Sequence, residues 1–482
     1  MRSPDHDLPT AESSAGLASD ALEHHLASPQ GRGHRPRGRH DGAAGGAACG
    51  DLVRISVAVE GDRVADAGFE ASGCGAAQAA ASAAVALVRG RPLLDAARVG
   101  VRDVADELGG LSPGKLHAPE LAADALHRAL GAAAWSDASA PRVASRTLVA
   151  MSGGVDSSVV ALLAGDDAVA VTVELWADED NDAERSCCSA LAVRGARALA
   201  HSLGLPHFTL DLRAEFRAGV VEPWLTEHAA GLTPNPCVRC NGNVRLDAML
   251  AFADRLGAAT LTTGHYARRT PEGLLRLAAD PAKDQAYMLA GLSRGTLARL
   301  RFPLGELDKA QVRAMAAEHE LPVASKPDSQ DLCFLAGTGR AAFLARHGDL
   351  GERPGDIVDA SGRIMGRHPG AHRFTVGQRR GLQIGGTAEP LYVVRTDAGS
   401  NTVTVGPRAA LATTGVRVRD ARLHAPASEV QAVKLRYRAP AVACRLRGDT
   451  IELQEPADGP APGQTAVFLR GDAVLGCATI AA

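Results

Sequence analysis

From Thr147 the chain reads TLVAM, SGGVDSS and VVALLAG, which is a short apolar strand, a glycine loop and a helix-compatible stretch. A glycine loop set between a strand and a helix is compatible with few folds. The alternation then continues: AVAVTVELW reads as a second strand, residues 193–203 as a helix, HFTLDL as a third strand, residues 246–256 as a helix and ATLTTGHY as a fourth strand. Strands alternating with helices predict an α/β fold around a parallel sheet. In the loop, Ala150, Met151, Ser152, Gly153, Gly154, Val155, Asp156, Ser157 and Ser158 put small residues where backbone N–H groups can approach an anion at the positive end of a helix. A bound phosphate is therefore expected. The loop is not a Lys-containing P-loop, because that Lys is absent.

The chain has 482 residues, enough for several domains. Residues 1–16 are small and polar and read as a disordered tail. In residues 17–134, a helix-compatible ALEHHLA leads through a Gly- and Arg-rich loop to Val53, Ile55, Val57 and Val59, which alternate with other residues. A turn at 60–62 and a second run at 64–69 complete a predicted hairpin, and helical patterns follow at 76–88 and 119–130. Residues 135–145 have linker composition. Residues 146–350 form the expected nucleotide-binding domain. Beyond them, short strands separated by Gly, Pro and Asp turns predict a small central domain at 351–404 and a β-barrel at 405–482.

A net charge of -3 argues, for the average surface, against a nucleic-acid partner. Local runs temper this: Arg32, Arg35, Arg37 and Arg39 form one, and Arg367, His368, His372, Arg373, Arg379 and Arg380 another. Each is ordinarily a solvated face. The nine cysteines are odd in number and sparse, which fits a reducing compartment. With no signal-peptide core and no apolar run of membrane-spanning length, a cytoplasmic protein without a membrane partner is expected.

Cys237 and Cys240 lie three positions apart in TPNPCVRCN, just before a helix whose positive end favours thiolate, and Cys333 follows in KPDSQDLCF. Taken alone, the pair leaves open a zinc half-site, a redox pair or two buried thiols. Cys187 and Cys188 read as structural or accessory, and Cys444 and Cys477, which alternate with apolar residues, as core thiols.

The loop AMSGGVDSS resembles that of the N-type ATP pyrophosphatases, a group that includes amide ligases and tRNA thiolases. TPNPCVRCN, TTGHYAR, KDQAYML, KPDSQDLCF and HRFTVGQRRGL, in that order, resemble the tRNA-specific 2-thiouridylase family over residues 146–482. That resemblance implies an enzyme using ATP with Mg2+ to adenylate the 2-oxygen of the wobble uridine in tRNA and then to replace it with sulfur from a cysteine desulfurase or relay protein. It gives Cys240 the role of nucleophile and Cys333 that of persulfide carrier, able to pair with Cys240 as a disulfide. It places Gly264 on the nucleotide, and Asn235, Pro236, Cys237, His265, Lys283, Asp284, Gln285, Arg436, Tyr437 and Gln464 on tRNA. Many members carry Asp where this chain has Cys237. Three thiols, Cys237, Cys240 and Cys333, also match the ligand set of a 4Fe-4S cluster with one open iron position, so a cluster-dependent thiolation stands beside the persulfide relay.

ALEHHLASPQGRG, ACGD, GFEASGCG and KLHAPEL resemble the NifU/IscU-type iron-sulfur scaffold over residues 17–134. The implied ligands are Cys49, Asp51, Cys74 and His117, while Ala118 stands where that family has its third cysteine. The domain then either binds metal or survives as a docking module. Two other functions are weighed: an amide ligase sharing the ATP loop, and a sulfur or cluster carrier that consumes no ATP.

Overall fold

The computed structural model describes residues 20–45, 50–177, 189–328, 332–387 and 389–482. The expected tail, Cys49, Cys187 and Cys188 lie outside these residues. The chain divides into two units: residues 1–174 with 188–211 and 249–263, and residues 175–187 with 212–248 and 264–482. The division cuts through the segment expected to be one nucleotide-binding domain at 146–350.

The first unit holds two sheets. Its antiparallel sheet pairs His40–Gly45 with Leu52–Glu60, and Leu52–Glu60 with Arg63–Ser72. The predicted hairpin is present, with Glu60 opposite Arg63 across a two-residue turn and Val53, Ile55 and Val57 fully buried. His40–Gly45 lies where the sequence reads as loop, since glycine and alanine are weak strand formers. Pairing on one side and the cover of the helix His117–Asp137 supply what propensity does not. That helix also overruns the expected linker, and the Trp135 ring packs 6.2 Å from Phe252. The connector shrinks to residues 138–142 before the strand Val143–Ala150.

The second sheet of this unit is parallel, in the spatial order Ala258–Thr263, Val143–Ala150, Ala168–Glu174, His207–Asp211. The glycine loop leaves the carboxyl end of Val143–Ala150, an interior strand, where α/β folds place ligands.

The helix His117–Asp137 joins the two sheets. A Cβ on Gly131 would lie 1.9 Å from the Thr209 carbonyl oxygen, so only glycine permits this approach to the strand His207–Asp211. Asp124 accepts from both Arg194 and Arg197, and Arg128 grips Glu174 bidentately at 2.7 Å. The ring nitrogens of His127 lie 3.0 and 2.9 Å from the His207 and Val99 carbonyls. The scaffold-like segment is thus packed onto the parallel sheet by buried ionic and backbone contacts.

The second unit contains a four-stranded sheet built from Gly355–Val358, Ile364–His368, Tyr392–Asp397 and Thr402–Gly406. Six further strands, Ala412–Leu423, Thr450–Asp458, Val442–Arg447, Ala432–Lys434, Thr465–Arg470 and Ala473–Ile480, close into a barrel through pairing of the first with the last. Its core includes Val433, Ile451, Phe468 and Cys444. Cys444 and Cys477 are buried as expected, and burial pushes both thiols up to about 11.

Candidate functional site

The glycine loop is pre-shaped by its own hydroxyls. Ser157 Oγ accepts from the Ser152 N–H at 3.1 Å and donates to the Gly154 carbonyl at 3.1 Å, and Ser158 Oγ donates to the same carbonyl at 2.8 Å. Ser157 and Ser158 are buried in these roles, while Ser152 stays exposed. Gly154 caps the helix Val155–Leu163 in an extended conformation. An anion here would meet the backbone N–H groups of the first turn and the Ser152 hydroxyl, with the helix dipole adding to the attraction.

In the second unit, the helix Pro236–Cys240 starts where its sequence signals place it. Proline at the first position lacks the N–H that would be orphaned, and Asn235 Oδ1 accepts from the N–H groups of Cys237 at 3.1 Å and Val238 at 3.3 Å. A π-turn, Asn241–Arg245, follows at once. Asn241 Nδ2 donates to the Met288 carbonyl at 3.1 Å, and its Oδ1 accepts from Arg245 at 2.7 Å. Arg245 also reaches His265 Nε2 at 3.1 Å. Burial, then the Arg245 charge, push His265 down to about 3, so it is a neutral acceptor at physiological pH.

The expected thiolate at Cys237 is not what the structure supports. Loss of solvent around the sulfur, then the neighbouring Cys240, push Cys237 up to about 11, so it remains a thiol at neutral pH. Desolvation outweighs the field of a five-residue helix. Cys240 is 8% exposed.

Cys333 sits in a turn beside Phe334, whose ring meets Phe343 at 5.1 Å, Trp224 at 5.2 Å, Phe216 at 5.8 Å and Trp176 at 6.5 Å. In a chain with only 3% aromatics this cluster is a dedicated anchor, and sequence reasoning missed it because its members are far apart along the chain. The Cys240–Cys333 disulfide that the resemblance allows is not formed. Nor are the ligand atoms of Cys237, Cys240 and Cys333 all within 4.8 Å of one another; among the described residues only Asp51, Cys74 and His117 make such a set.

Several residues expected on tRNA are also bound within the protein. Asp284 Oδ1 accepts from the Ala278 N–H at 2.9 Å, Gln285 Oε1 accepts from the Tyr266 N–H at 3.1 Å, and Gln464 Nε2 donates to the Thr233 carbonyl at 2.6 Å. Arg436 donates to the Val376 and Gly459 carbonyls, and the Tyr437 ring packs 5.8 Å from Tyr287. Lys283 pairs with Asp328 at 2.8 Å, where Lys309 and Arg313 converge as well. Burial alone would raise Asp328, but hydrogen bonds from Lys283 and Lys309 and their charges hold it down to about 2.

The N-terminal ligand set is compact. Cys74 Sγ lies 3.1 Å from Asp51 Oδ2 and 3.9 Å from His117 Nε2, and His117 Nε2 lies 3.2 Å from Asp51 Oδ2. Tetrahedral zinc with bonds of about 2.0–2.3 Å sets its ligand atoms about 3.3–3.8 Å apart, so the donors fit such an ion. His117 Nδ1 lies 3.2 Å from the Gly114 carbonyl, a partner that would leave Nε2 bare were a metal to take the place of its contact with Asp51. Gly73, at φ +117, lets Asp51 in: a Cβ there would lie 1.9 Å from its Oδ1. The Cys74 N–H, then its thiol, hold the Asp51 carboxyl below its usual range. Ala118 is fully buried and supplies no ligand.

These features define a nucleotide-binding α/β protein that carries a scaffold-like domain, a thiol-bearing helix and a C-terminal β-barrel. The family model described as the tRNA methyl transferase HUP domain matches residues 145–337, the NifU-like N terminal domain 18–135, the tRNA methyl transferase PRC-barrel domain 341–407 and the aminomethyltransferase beta-barrel domain 413–480. The chain is 42% identical to the bifunctional protein NifU/MnmA of Rubrobacter xylanophilus, over 93% of this chain and 95% of that one. It is 44% identical to the tRNA-specific 2-thiouridylase MnmA of Zymomonas mobilis, over 70% of this chain and 93% of that one, and 46% identical to that of Acidothermus cellulolyticus, over 70% and 97%. The chain belongs to the MnmA family, in the form that carries a NifU-like domain at its N-terminus.

Proposed function

We infer that the protein is a tRNA-specific 2-thiouridylase that adenylates the wobble uridine with ATP and replaces its 2-oxygen by sulfur. The observation that carries the chemistry is a buried Cys240 on a capped helix, in a chain whose glycine loop is shaped for an anion. Two family models speak of methyl transfer, but an anion loop and a cysteine helix suit ATP cleavage and sulfur transfer, and the relatives are named 2-thiouridylases.

The uridine 2-oxygen attacks the α-phosphorus of ATP and pyrophosphate leaves, helped by the N–H groups at the start of Val155–Leu163. The terminal sulfur of a persulfide on Cys333 then attacks C2, and AMP departs with the former 2-oxygen. The Cys240 thiolate next attacks the Cys333 sulfur; the sulfur–sulfur bond breaks and its electron pair goes to the thiocarbonyl product. The two cysteines have supplied two electrons, and an external thiol restores them. The ligand atoms of Cys237, Cys240 and Cys333 do not form a compact set, which favours the relay over the cluster.

Sulfur reaches Cys333 from a cysteine desulfurase or relay protein. Three exposed leucines support a docking face for such a donor on the N-terminal domain: Leu52 follows Asp51, Leu116 precedes His117, and Leu26 lies against Gly75 beside Cys74. Asp51, Cys74 and His117 would hold a zinc or iron ion there, fixing this surface. The test is nucleoside analysis of tRNA incubated with the protein, ATP, Mg2+ and a sulfur source under anaerobic conditions, with iron and acid-labile sulfide assayed in the same preparation. The metal-free protein is expected to form 2-thiouridine. Absence of 2-thiouridine from every preparation defeats the thiolation reading, and activity strictly proportional to bound iron defeats the relay.

A further inference from the structure

Two arginines flank Cys240 along the chain, and only one of them is neutralised. Arg239 pairs with Glu227 at 2.8 Å. Arg245, half-buried, has no carboxylate partner among the described residues. It ends the π-turn Asn241–Arg245, in which residue i+5 returns beneath residue i, so it stands one turn beyond Cys240. Its Nη2 donates to Asn241 Oδ1 at 2.7 Å and to His265 Nε2 at 3.1 Å. A guanidinium only donates, and both of its partners are neutral, one an amide and the other an imidazole that burial keeps uncharged. The remaining N–H groups, on Nε and Nη1, have no partner among the described residues, and Nε is shut off from water. Asn241 is itself anchored, its Nδ2 donating to the Met288 carbonyl at 3.1 Å. The head group is thus fixed in place while its charge and several of its donors are left unmatched. A partly desolvated cation of this kind is costly unless a ligand brings the anion.

We propose that Arg245 binds a backbone phosphate of tRNA next to the wobble uridine and so keeps the reacting nucleotide at Cys240. The inference rests on the thiouridylase reading, which brings that uridine to Cys240. A uridine in the site carries a phosphate on each side. One turn of helix is about 5 Å, comparable with the span from a uracil ring to the phosphate of its own nucleotide. A guanidinium holds phosphate oxygens by charge-assisted hydrogen bonds, which suits a head group with idle donors and an uncompensated charge. Two sources of phosphate enter the reaction, ATP and the tRNA backbone. The glycine loop already serves the nucleotide, which leaves Arg245 for the backbone.

Arg245→Gln removes the charge and keeps a polar head group. Its Kd for tRNA, measured by fluorescence anisotropy across a KCl series, should rise about 10-fold at moderate salt, and the slope of log Kd against log [KCl] should fall by about 0.7, the share of one single-strand phosphate. The KM for ATP should change less than about 2-fold. Arg245→Lys keeps the charge and should keep the slope. A tRNA with a methylphosphonate in place of the phosphate 5′ or 3′ of the wobble uridine lacks the charge on the other side of the contact. At one of these positions it should bind the wild type about 10-fold more weakly than native tRNA, but Arg245→Gln within about 2-fold, because the partner has already gone. An unchanged slope in Arg245→Gln overturns the proposal, as do methylphosphonate penalties that are equal in wild type and variant at both positions. A raised KM for ATP beside unchanged tRNA affinity also overturns it, by placing the guanidinium on the nucleotide. Wild-type protein that binds both methylphosphonate tRNAs as it binds native tRNA overturns it without recourse to any variant. Nucleoside analysis separates the two readings: 2-thiouridine formed by the wild type beside an unchanged slope in Arg245→Gln removes only the phosphate contact, whereas no 2-thiouridine with the slope change and penalty intact leaves the contact and removes the thiouridylase reading.

Discussion

The protein places cysteines at two helix starts and makes different chemistry of them. Cys74 caps the helix Gly75–Val88 at an exposed site, where Asp51 and His117 stand within ligand distance. Cys237 and Cys240 lie within the short helix Pro236–Cys240, the first half-buried and the second buried, with no carboxylate or imidazole close enough to complete a ligand set among the described residues. Position at a helix start is shared, so it cannot be what separates them. Partners and solvent do: Cys74, beside a carboxylate and an imidazole, has the donors that a metal would take, whereas Cys237, stripped of water, stays protonated at neutral pH.

The sharpest break of this comparison is Cys240→Ser. It should abolish 2-thiouridine formation in tRNA nucleoside digests while AMP release with tRNA persists. The packing of the scaffold-like region is tested next by Asp124→Ala, which strands Arg197, a side chain only 5% exposed. Loss of one partner of a buried pair costs about 3–5 kcal/mol, to be read as a lower midpoint in denaturant unfolding.

His201 at the same junction gives a pH signature. Burial holds it down to about 4, although the Ala97 carbonyl that it bonds favours the charged form. Its folded value is depressed, so as the pH falls the unfolded chain takes up the proton first. Its contribution is whole above pH 6.5 and is lost as the pH falls towards 4. The thermal midpoint should drop through that window, and His201→Gln should flatten the drop. The smallest effect belongs to Cys74→Ala. With inorganic sulfide supplied, thiolation should stay within about 2-fold of the wild type, while zinc affinity measured by chelator competition falls by more than about 100-fold, since a direct ligand is worth more than the partners that orient it. A large loss of thiolation there would erase the distinction between the two sites.

Much of the fold was legible because its signals are local. Alternating Val53, Ile55 and Val57 became buried strand positions, and the loop at 152–158 joined a strand to a helix. The strand His40–Gly45 was hidden, since its Gly- and Ala-rich sequence owes its conformation to a neighbouring strand and a covering helix. The reach of His117–Asp137 was underestimated for a related reason: Trp135 stays helical where Phe252, remote in sequence, offers a surface.

By itself, the sequence determined the order of the elements, the glycine loop, the spacing of Cys237 and Cys240 and the motifs that place the chain in its family, because each depends on residues a few positions apart. The tertiary structure decided what those residues are doing. It kept Cys237 as a thiol, gave Cys333 an aromatic anchor, turned Asp284 and Gln285 towards backbone amides, and bound Gln464 to the turn that caps the thiol helix. Desolvation and long-range hydrogen bonding are properties of what surrounds a group, and nothing in a linear spacing says which distant carbonyl or ring will be there.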